Sequence, residues 1–385
     1  MFHIAEPQDI KKGKVTDVYF DRTVKILKEK NLDKRVVVEV RAHSLPSGYR
    51  WAVLSGIDEA LYLLENLEVK VESMPEGTIF HAFEPVMCIE GNYGELARYE
   101  TPLLGLLCQA SGVATRAARC KKASGGKPIY HFGARRMHPA VAPMIDRASF
   151  IGGCDGVAVG KSARMLNEEP VGTIPHALVL LSGDTVKAMR FFHEVIDPKV
   201  KRVALIDTLG DEKFEALRVA EDLGDDLFAV RLDTPPSRRG DFLELLKEVR
   251  WELDLRGFKK VKLFVSGGMD EEKICLLSPI ADAFGVGTWI SNAPVVDFSL
   301  DIVEVEGRPL AKRGKLSGKK QVWRCSSCFS TQILPANGNP GKCSCGGDFA
   351  RLLEPVIERG KLIKSLPSPQ EIRKYVLEQL EKVQI

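Results

Sequence analysis

The feature of this sequence that most restricts its fold is a repeated alternation, between residues 129 and 290, of short apolar runs with helix-length segments. Three of the intervening segments carry apolar residues at helical spacing and begin at an aspartate, a residue type that caps helix N-termini. Adjacent parallel strands need crossover helices of this kind, so the alternation predicts an α/β fold with a (β/α) barrel. The predicted strands are Ile129–Ala134, Gly156–Val159, Ala177–Leu181, Val203–Asp207, Leu227–Leu232, Val261–Val265 and Phe284–Ile290, and the predicted helices are Asp184–Val195, Asp211–Leu223 and Asp241–Leu255.

Residues 1–110 lack this period and are predicted to form a separate N-terminal α/β domain, which precedes a barrel domain over residues 111–300. The strands predicted there are Val36–Val40, Thr78–Phe83 and Met87–Ile89, and the predicted helix is Ile57–Glu65.

Residues 301–385 form the third segment of this division. A small cysteine-rich module is expected at about residues 322–350. After it, Ser368-Pro369-Gln370-Glu371 is a capping box with proline at the first helical position, which predicts a tail helix. Because that helix has one apolar stripe, formed by Ile372, Val376, Leu380 and Val383, we expect it to pack on the other domains.

The composition is that of a globular protein: 385 residues, 44% of them hydrophobic and 28% charged. Lysine and arginine number 55 against 52 acidic residues, so the net charge of +3 gives no general reason to expect nucleic acid or membrane as a partner. No apolar stretch has the length of a membrane span, and the first residues lack a secretory signal, so a cytoplasmic location is expected.

Four of the nine cysteines are bunched in the C-terminal segment, at Cys325, Cys328, Cys343 and Cys345. Two such pairs supply four thiolates, the ligand set of a closed structural zinc site, so we predict that they bind Zn²⁺. A redox pair at Cys325 and Cys328, or an iron centre, is the alternative.

Seven basic residues and no acid lie between Arg308 and Arg324, next to this cysteine cluster. The combination leaves open a different class of function, a zinc-ribbon protein that binds nucleic acid, because phosphate backbones attract clustered cations. A solvated linker is the plainer interpretation, and nucleic acid is not the expected partner.

Barrel enzymes carry their sites at the C-terminal ends of the strands, and several predicted strand ends here are rich in polar residues. Glycine-rich turns follow the last two predicted strands, where barrels commonly bind phosphate through backbone N–H groups. We therefore predict a phosphate site at Gly267, Gly268, Gly287 and Thr288.

Asp207 and Asp233 each follow an apolar strand, and two carboxylates in one mouth can bind ribose hydroxyls or Mg²⁺. Arg231 shares a side of its strand with Asp233 and could hold a substrate carboxylate in a bidentate pair. Arg135, Arg136 and His176 are further candidates for phosphoryl groups, and Thr173 is a candidate for substrate binding.

Five motifs in this order resemble those of the nicotinate phosphoribosyltransferases, and most of all the archaeal-type branch, which also carries a C-terminal cysteine cluster. The motifs are Thr16-Asp17-Val18-Tyr19-Phe20, Phe132-Gly133-Ala134-Arg135-Arg136, Gly172-Thr173-Ile174-Pro175-His176, Arg231-Leu232-Asp233 and Ser266-Gly267-Gly268.

The resemblance implies a type II phosphoribosyltransferase with an incomplete barrel and a site completed across a subunit interface, hence at least a homodimer. It implies formation of nicotinate mononucleotide and pyrophosphate from nicotinate and 5-phosphoribosyl 1-pyrophosphate (PRPP) in NAD biosynthesis, with Mg²⁺, and with ATP coupled through phosphorylation of His176. Phe132 and a neighbouring subunit's Tyr19 would stack on the pyridine ring, and Arg231 would hold its carboxylate.

The same resemblance implies that Asp207 and Asp233 bind ribose and metal and that the glycine turns bind the 5-phosphate. One departure is the loop after Asp233, where Arg238 and Arg239 either reach the pyrophosphate or remain in solvent. Quinolinate and nicotinamide phosphoribosyltransferase are the alternatives within the enzyme class.

Overall fold

The computed structural model describes residues 1–46 and 48–385, which form helices, strands and short 3₁₀ turns. The helices are α1 (Pro7–Lys11), α2 (Val18–Lys30), α3 (Ile57–Leu64), α4 (Tyr93–Leu96), α5 (Glu100–Ala123), α6 (Ala142–Ile151), α7 (Gly160–Met165), α8 (His176–Ser182), α9 (Thr185–Val195), α10 (Glu212–Leu223), α11 (Phe242–Leu255), α12 (Glu271–Leu277), α13 (Thr288–Ser291) and α14 (Pro369–Leu380). The strands are β1 (Arg35–Ala42), β2 (Ala52–Val53), β3 (Lys70–Ser73), β4 (Ile79–Phe80), β5 (Pro85–Asn92), β6 (Ile129–His131), β7 (Gly156–Val157), β8 (Arg202–Leu205), β9 (Leu227–Leu232), β10 (Lys262–Val265), β11 (Ala283–Val286), β12 (Phe298–Val305), β13 (Arg308–Pro309), β14 (Lys320–Cys325), β15 (Thr331–Pro335), β16 (Phe349–Arg351), β17 (Glu354–Glu358) and β18 (Lys361–Leu362).

The chain divides into two compact units. The first comprises residues 1–115 and 293–385, and the second residues 116–292. The C-terminal segment thus belongs to the same unit as the N-terminal residues, because β12 pairs along its length with β1 and β17 pairs with β3. Among the described residues, every helix is too short or too polar to cross a lipid bilayer.

The first unit is built on a seven-stranded sheet in the order β13-β12-β1-β5-β3-β17-β18. Along β1, Val36, Val38 and Val40 enter the main hydrophobic core, as the period of two in a strand requires. The intervening residues, among them Glu39 and Arg41, point to the opposite face, which is also buried. The strands predicted around residues 36–40 and 87–89 and the helix at 57–65 are confirmed, whereas the predicted strand Thr78–Phe83 is reduced to the two residues of β4.

The tail helix α14 forms as predicted, with both hydrogen bonds of the Ser368–Glu371 capping box in place. Its buried Ile372 and Val376 side chains pack against Gly77, where an added Cβ would lie 2.9 Å from Ile372. Gln379 accepts a hydrogen bond from the backbone N–H of Ile79 and donates one to the carbonyl of Gly77. The helix is therefore docked within the first unit.

The basic run between Arg308 and Arg324 is committed to intramolecular ion pairs. Five of its seven cations pair with acidic residues of the first unit: Lys312 and Lys315 with Asp301, Lys319 with Glu72, Lys320 with Glu39 and Arg324 with Glu84. A cation that is neutralised in this way contributes little to a nucleic-acid surface.

The second unit is a six-stranded parallel sheet in the order β7-β6-β11-β10-β9-β8, with helices between the strands. It is a half-barrel, in agreement with the incomplete barrel that was expected. Helices α9, α10 and α11 begin after Asp184, Asp211 and Asp241, and each aspartate accepts backbone hydrogen bonds as an N-cap.

One predicted strand of the barrel is wrong: residues 177–181 lie in helix α8. Leu180 and Leu181 are exposed and Val179 is buried, so the apolar run is not enclosed on two faces as a parallel strand would be. Four of the five residues in the run are alanine or leucine, which are good helix formers, and the helix ends at Gly183, whose φ of +77° lies in the left-handed region. Likewise, the predicted strand Phe284–Ile290 stops at Val286 and continues as helix α13.

Candidate active site

A cavity of about 650 Å³ opens in the second unit, where the C-terminal ends of β6, β9, β10 and β11 meet. This volume lies within the range of small-molecule sites. Ten of the residues predicted from the sequence line it: Phe132, Arg135, Arg136, Thr173, Arg231, Asp233, Gly267, Gly268, Gly287 and Thr288. The parallel sheet explains why most of them converge, because its strand ends all lie on one edge, whereas Thr173 comes from the segment between α7 and α8.

The ring of Phe132 lies at the end of β6 and rests on Gly285 of β11. A Cβ on Gly285 would come within 2.6 Å of two ring carbons of Phe132, so only glycine leaves room for the ring in this position. Phe264 packs against Phe132 with ring centroids 5.7 Å apart. The guanidinium of Arg231 lies 5.1 Å from the ring centroid, which places a cation and an aromatic face side by side in the cavity.

Arg231 is fixed by three hydrogen bonds. Its Nε donates to Oγ of Ser266 (2.9 Å), Nη1 to Oγ1 of Thr173 (2.8 Å) and Nη2 to Oδ2 of Asp233 (3.1 Å). A guanidinium has five N–H donors, so one remains on each terminal nitrogen. The side chain is thus held in place and retains two donors for a ligand.

His176 lies between the two predicted carboxylates. Its Nε2 is 3.7 Å from Oδ2 of Asp207 and 3.7 Å from Oδ2 of Asp233, and a hydrogen bond of 2.9 Å joins its Nδ1 to Oγ1 of Thr208. Burial raises the pKa of Asp207, and the nearby His176 opposes the shift. Oδ1 of Asp207 is buried without a hydrogen-bond partner among the described residues, so this oxygen is available to a cation or a hydroxyl group.

The turn after β10 is held in a left-handed conformation, with φ of +85° at Gly267 and +70° at Gly268, which favours glycine. Lys273 donates to the carbonyl of Gly268 (2.9 Å), and Arg239 donates to the carbonyl of Gly267 (3.0 Å). Arg239 is therefore part of this turn's surroundings, whereas Arg238 is exposed. Whether either arginine contacts pyrophosphate stays a prediction.

Sequence reasoning missed Arg116 and Trp289, which also line the cavity. The Arg116 guanidinium lies 3.6 Å from the Trp289 ring centroid, and its Nη1 donates to the Trp289 carbonyl (3.2 Å). Arg116 belongs to the long helix α5 and is not part of any motif identified in the sequence. Trp289 directly follows the predicted Thr288, and that position was the one available signal.

Tyr19 belongs to the first unit, whereas the cavity belongs to the second. Its side chain is exposed near the start of α2. The preceding Asp17 is tied to Thr101, whose hydroxyl donates to the Asp17 carboxylate (2.9 Å) and accepts from the Asp17 N–H (3.2 Å). This reciprocal pair fixes the turn from which Tyr19 projects.

The four predicted cysteine ligands converge in the first unit. Their sulfur atoms all lie within 4.8 Å of one another, which suits a tetrahedral metal site. Cys325 ends β14, and an added Cβ on Gly347 would lie 2.8 Å from its sulfur, so glycine is required behind it. The Gly346 N–H donates to the Cys343 carbonyl (2.8 Å), which closes the second turn. The cluster could bind a metal ion.

Comparison with known proteins agrees with this geometry. Residues 17–111 match the family model of the N-terminal domain of quinolinate phosphoribosyl transferase, and residues 113–301 match the model of its C-terminal domain. A nicotinate phosphoribosyltransferase of Mycobacterium tuberculosis is 31% identical over 328 residues, which cover 81% of this chain and 68% of the relative. The Bacillus subtilis nicotinate phosphoribosyltransferase is 30% identical over 340 residues, covering 76% of this chain and 68% of that protein.

Solved structures show the same architecture. The crystal structure of a nicotinate-nucleotide pyrophosphorylase from Pyrococcus furiosus is 56% identical, covers 100% of this chain and 99% of its own, and superposes with a TM-score of 0.98. Human nicotinic acid phosphoribosyltransferase, at 18% identity, shares the fold with a TM-score of 0.76 over 96% of this chain and 94% of its own.

The chain combines an α/β unit with a half-barrel that carries arginines, paired carboxylates and glycine turns at its strand ends. Together with the family matches, this defines a type II phosphoribosyltransferase. Within that class, the similarity in sequence shows that the chain belongs to the nicotinate phosphoribosyltransferase family. It is accordingly an enzyme of phosphoribosyl transfer.

Proposed function

We propose that this protein transfers the phosphoribosyl group of PRPP to nicotinate and releases nicotinate mononucleotide and pyrophosphate. The observation that carries the proposal is the arrangement of Arg231 beside Phe132. An aromatic acid needs a flat apolar surface for its ring and a cation for its carboxylate, and these two groups lie 5.1 Å apart in the cavity. The two donors that Arg231 retains match the two oxygens of one carboxylate.

The reaction needs no protein nucleophile. The lone pair of the pyridine nitrogen forms a bond to C1 of the ribose while the C1–O bond breaks, and the electron pair of that bond leaves with pyrophosphate. Catalysis then depends on the alignment of the two substrates and on neutralising the leaving group. Arg135 and Arg136 are exposed at the cavity and suit the second task.

Asp207 and Asp233 suit the ribose end of PRPP. The buried, unpartnered oxygen of Asp207 and the neighbouring carboxylate of Asp233 fit ribose hydroxyls or a Mg²⁺ ion, whose preferred ligands are oxygens. Mg²⁺ bound there would offset the negative charge of the pyrophosphate. The Gly267–Gly268 turn, with Arg239 beside it, is the candidate site for the 5-phosphate.

ATP coupling through His176 is part of the proposal. The imidazole side chain is 42% exposed, so it is reachable from solvent, and it lies within 4 Å of both carboxylates of the ribose site. A phosphoryl group on His176 would bring two negative charges next to these carboxylates. That repulsion is one way in which hydrolysis of ATP could favour binding or release of substrates.

We also infer a homo-oligomer in which Tyr19 of one subunit completes the ring site of another. The support is the exposed Tyr19 side chain on a turn that Asp17 and Thr101 fix in place. The test is to mix two inactive variants, Tyr19→Ala and Arg231→Ala, after dissociation. If the site is shared in a dimer, random pairing restores about a quarter of the wild-type sites. No recovery in verified mixed dimers would overturn the shared site.

For the cysteine cluster we propose bound Zn²⁺ with a structural role. The four sulfurs leave no open coordination position, and the Cys cluster lies in the first unit, whereas the cavity lies in the second. Metal analysis of the purified protein should give one zinc per chain. Chelation, or Cys343→Ser, should lower Tm and leave the ratio of rates with nicotinate and nicotinamide unchanged, while Cys275→Ser serves as the control. A changed ratio would contradict a purely structural role.

Quinolinate phosphoribosyl transfer is a second candidate. The matching family models are those of quinolinate phosphoribosyl transferase, and Arg116, Arg135 and Arg136 line the same cavity as Arg231. A second ring carboxylate would therefore meet additional cations. The name nicotinate-nucleotide pyrophosphorylase, given to the Pyrococcus furiosus protein, specifies the nucleotide and pyrophosphate and not the acceptor.

The deciding experiment measures product formation from PRPP and Mg²⁺ with nicotinate, nicotinamide or quinolinate, each with and without ATP. Nicotinate mononucleotide formed from nicotinate, without release of CO₂, supports the proposal. Reaction of quinolinate alone, with CO₂ released, would establish the second candidate. Faster turnover of nicotinamide than of nicotinate would show that Arg231 does not select for a carboxylate.

A further inference from the structure

A second cavity, of about 440 Å³, lies in the first unit, to which all of its lining residues belong. It is bounded by the end of β1, by the segment that leads from β13 into β14, and by β15. Its volume is within the range of small-molecule sites, and the proposed phosphoribosyl transfer makes no use of it. Its wall combines three cations, Arg41, Lys319 and Lys320, with a largely apolar lining.

One of these cations, Arg41, is only 5% exposed, although its side chain lines the cavity. Its guanidinium makes no hydrogen bond or ion pair with any residue in the described part of the chain. A buried cation is costly unless an anion or hydrogen-bond acceptors compensate it. The guanidinium of Arg41 therefore stands at the wall of the cavity with its donors unpaired among the described residues.

The nearby carboxylates on this face of the sheet are already bound by lysines. Glu39, two residues before Arg41, accepts from the backbone N–H and from Nζ of Lys320, at 3.0 and 2.9 Å. Glu72 pairs with Lys319, and Asp301 pairs with Lys315. The charge of Arg41 favours the ionised form of Glu39. No ion pair joins these two side chains, so a ligand anion could be the direct partner of the Arg41 guanidinium.

The rest of the lining is mainly apolar. Phe83, Leu316 and Ile333 are 53%, 68% and 37% exposed, and Leu334 and Pro335 stand beside Ile333 on β15. Phe83 is held at φ +70° with its N–H bonded to the Ala42 carbonyl, and the His43 ring packs edge-on against it at 5.5 Å. Lys319 and Lys320 also line the cavity but are paired with Glu72 and Glu39. An apolar surface of this kind beside Arg41 is complementary to an amphipathic anion.

We propose that this cavity binds a small amphipathic anion, with its carboxylate or phosphate head on Arg41 and its apolar body against Phe83, Leu316 and Ile333. The head group could be either of these anions, because a guanidinium binds both in the same bidentate geometry. The ligand class is a small molecule with one anionic end, for which octanoate and octyl phosphate are suitable probes. The assignment does not depend on the reaction proposed for the barrel.

Calorimetric titration of the full chain with octanoate and with octyl phosphate tests the site. Replacing Arg41 by glutamine should weaken binding of the better probe about tenfold or more, because a charge-assisted pair is lost. Arg308→Gln, an exposed arginine of the same unit, is the matched control and should bind as the wild type does. Octanamide, which has the same chain without charge, should bind the wild type about tenfold more weakly than octanoate.

Two further variants keep the proposal falsifiable. Leu316→Asp alters an exposed position at the cavity and should weaken the anions even if Arg41→Gln does not fold. Arg231→Gln alters the barrel cavity and should leave the binding of octanoate and octyl phosphate unchanged. The proposal is overturned if neither probe binds at millimolar concentration, if Leu316→Asp and Arg41→Gln bind as the wild type does, or if Arg231→Gln alone abolishes binding.

Discussion

Nε2 of His176 lies 3.7 Å from Oδ2 of Asp207, a carboxylate whose side chain is only 2% exposed. Burial of Asp207 disfavours its charged form and raises its pKa, while a protonated His176 would favour it. A group whose folded-state pKa is raised contributes stability at low pH, and this contribution is lost as the pH rises through the raised value. The ionised Asp207 carboxylate, which the site needs, therefore destabilises the folded state.

Replacing Asp207 by asparagine should remove this destabilisation. We expect Asp207→Asn to raise Tm at pH 7 by about 2 °C, and the gain should shrink as the pH falls and the wild-type carboxyl takes up a proton. Product formation should fall at least about a hundredfold, because the ribose and cation ligand is lost. Asp226→Asn, an exposed aspartate, is the control. If the variant is less stable than the wild type at pH 7, the ionised Asp207 carboxylate does not destabilise the folded state.

The role of His176 can be separated from that of the carboxylates. His176→Ala should abolish the stimulation of product formation by ATP and retain a slower reaction that is independent of ATP. Chain phosphorylation by labelled ATP should be lost as well, and His193→Ala, another exposed histidine of the second unit, should keep both properties. If the alanine variant is still stimulated by ATP, the coupling does not pass through His176.

Arg231 should act on the acceptor more than on the donor. Arg231→Lys keeps a cation but cannot reproduce the fork that reaches Ser266, Thr173 and Asp233 at once. We expect KM for nicotinate to rise about tenfold or more, and KM for PRPP to change less, in steady-state measurements that vary each substrate in turn. Equal increases in both constants would refute the assignment, and Arg256→Lys on the surface is the control.

Gly285 makes a sharper structural test of the ring site. In Gly285→Ala the new Cβ would lie 2.6 Å from the ring of Phe132, so the ring has to move into the cavity. Overpacking of this kind costs about 1–3 kcal/mol, and here it also displaces the surface on which the pyridine ring would stack. KM for nicotinate should increase about tenfold while the far-UV spectrum is retained. Gly160→Ala, where an added Cβ has space, should leave both unchanged.

The repeated βα pattern of the sequence predicts part of the fold and of the candidate site. Most of the ten predicted cavity residues follow strands of the parallel sheet, whose ends share one edge, so their convergence follows from the βα period. The role of Phe132 was expected from the resemblance in sequence instead. The period could not identify Arg116, which reaches the cavity from a helix. It also misassigned residues 177–181, since a short apolar run does not distinguish a buried strand from a helix with one buried residue. The pairing of the basic run with Asp301, Glu72 and Glu39 was equally out of reach, because it depends on contacts between residues far apart in the chain.

Glu100, at the start of α5, is expected to make the first unit sensitive to pH near neutrality. Burial raises the pKa of its carboxyl to about 7, and Asp301 and Asp17 add to the shift against the opposing charge of Lys312. Since the ordinary value is 4.5, the stability that the protonated group contributes is complete below about pH 4.5 and is lost as the pH rises through 7. Glu100→Gln, which resembles the protonated form, should therefore match the wild type in urea unfolding at pH 4 and have the higher midpoint at pH 8.

The matched control for Glu100 is Glu95→Gln, an exposed position on the preceding helix α4, which should track the wild type at both pH values. The neighbouring Thr101 holds Asp17 and thereby the Tyr19 turn, so ionisation of Glu100 acts next to the segment proposed to complete another subunit's site. If KM for nicotinate rises in the wild type between pH 6 and pH 8 but not in Glu100→Gln, ionisation of Glu100 affects the segment that carries Tyr19. A rise that persists in the variant would assign the pH dependence to the barrel cavity, where the carboxyl of Asp207 also has a raised pKa.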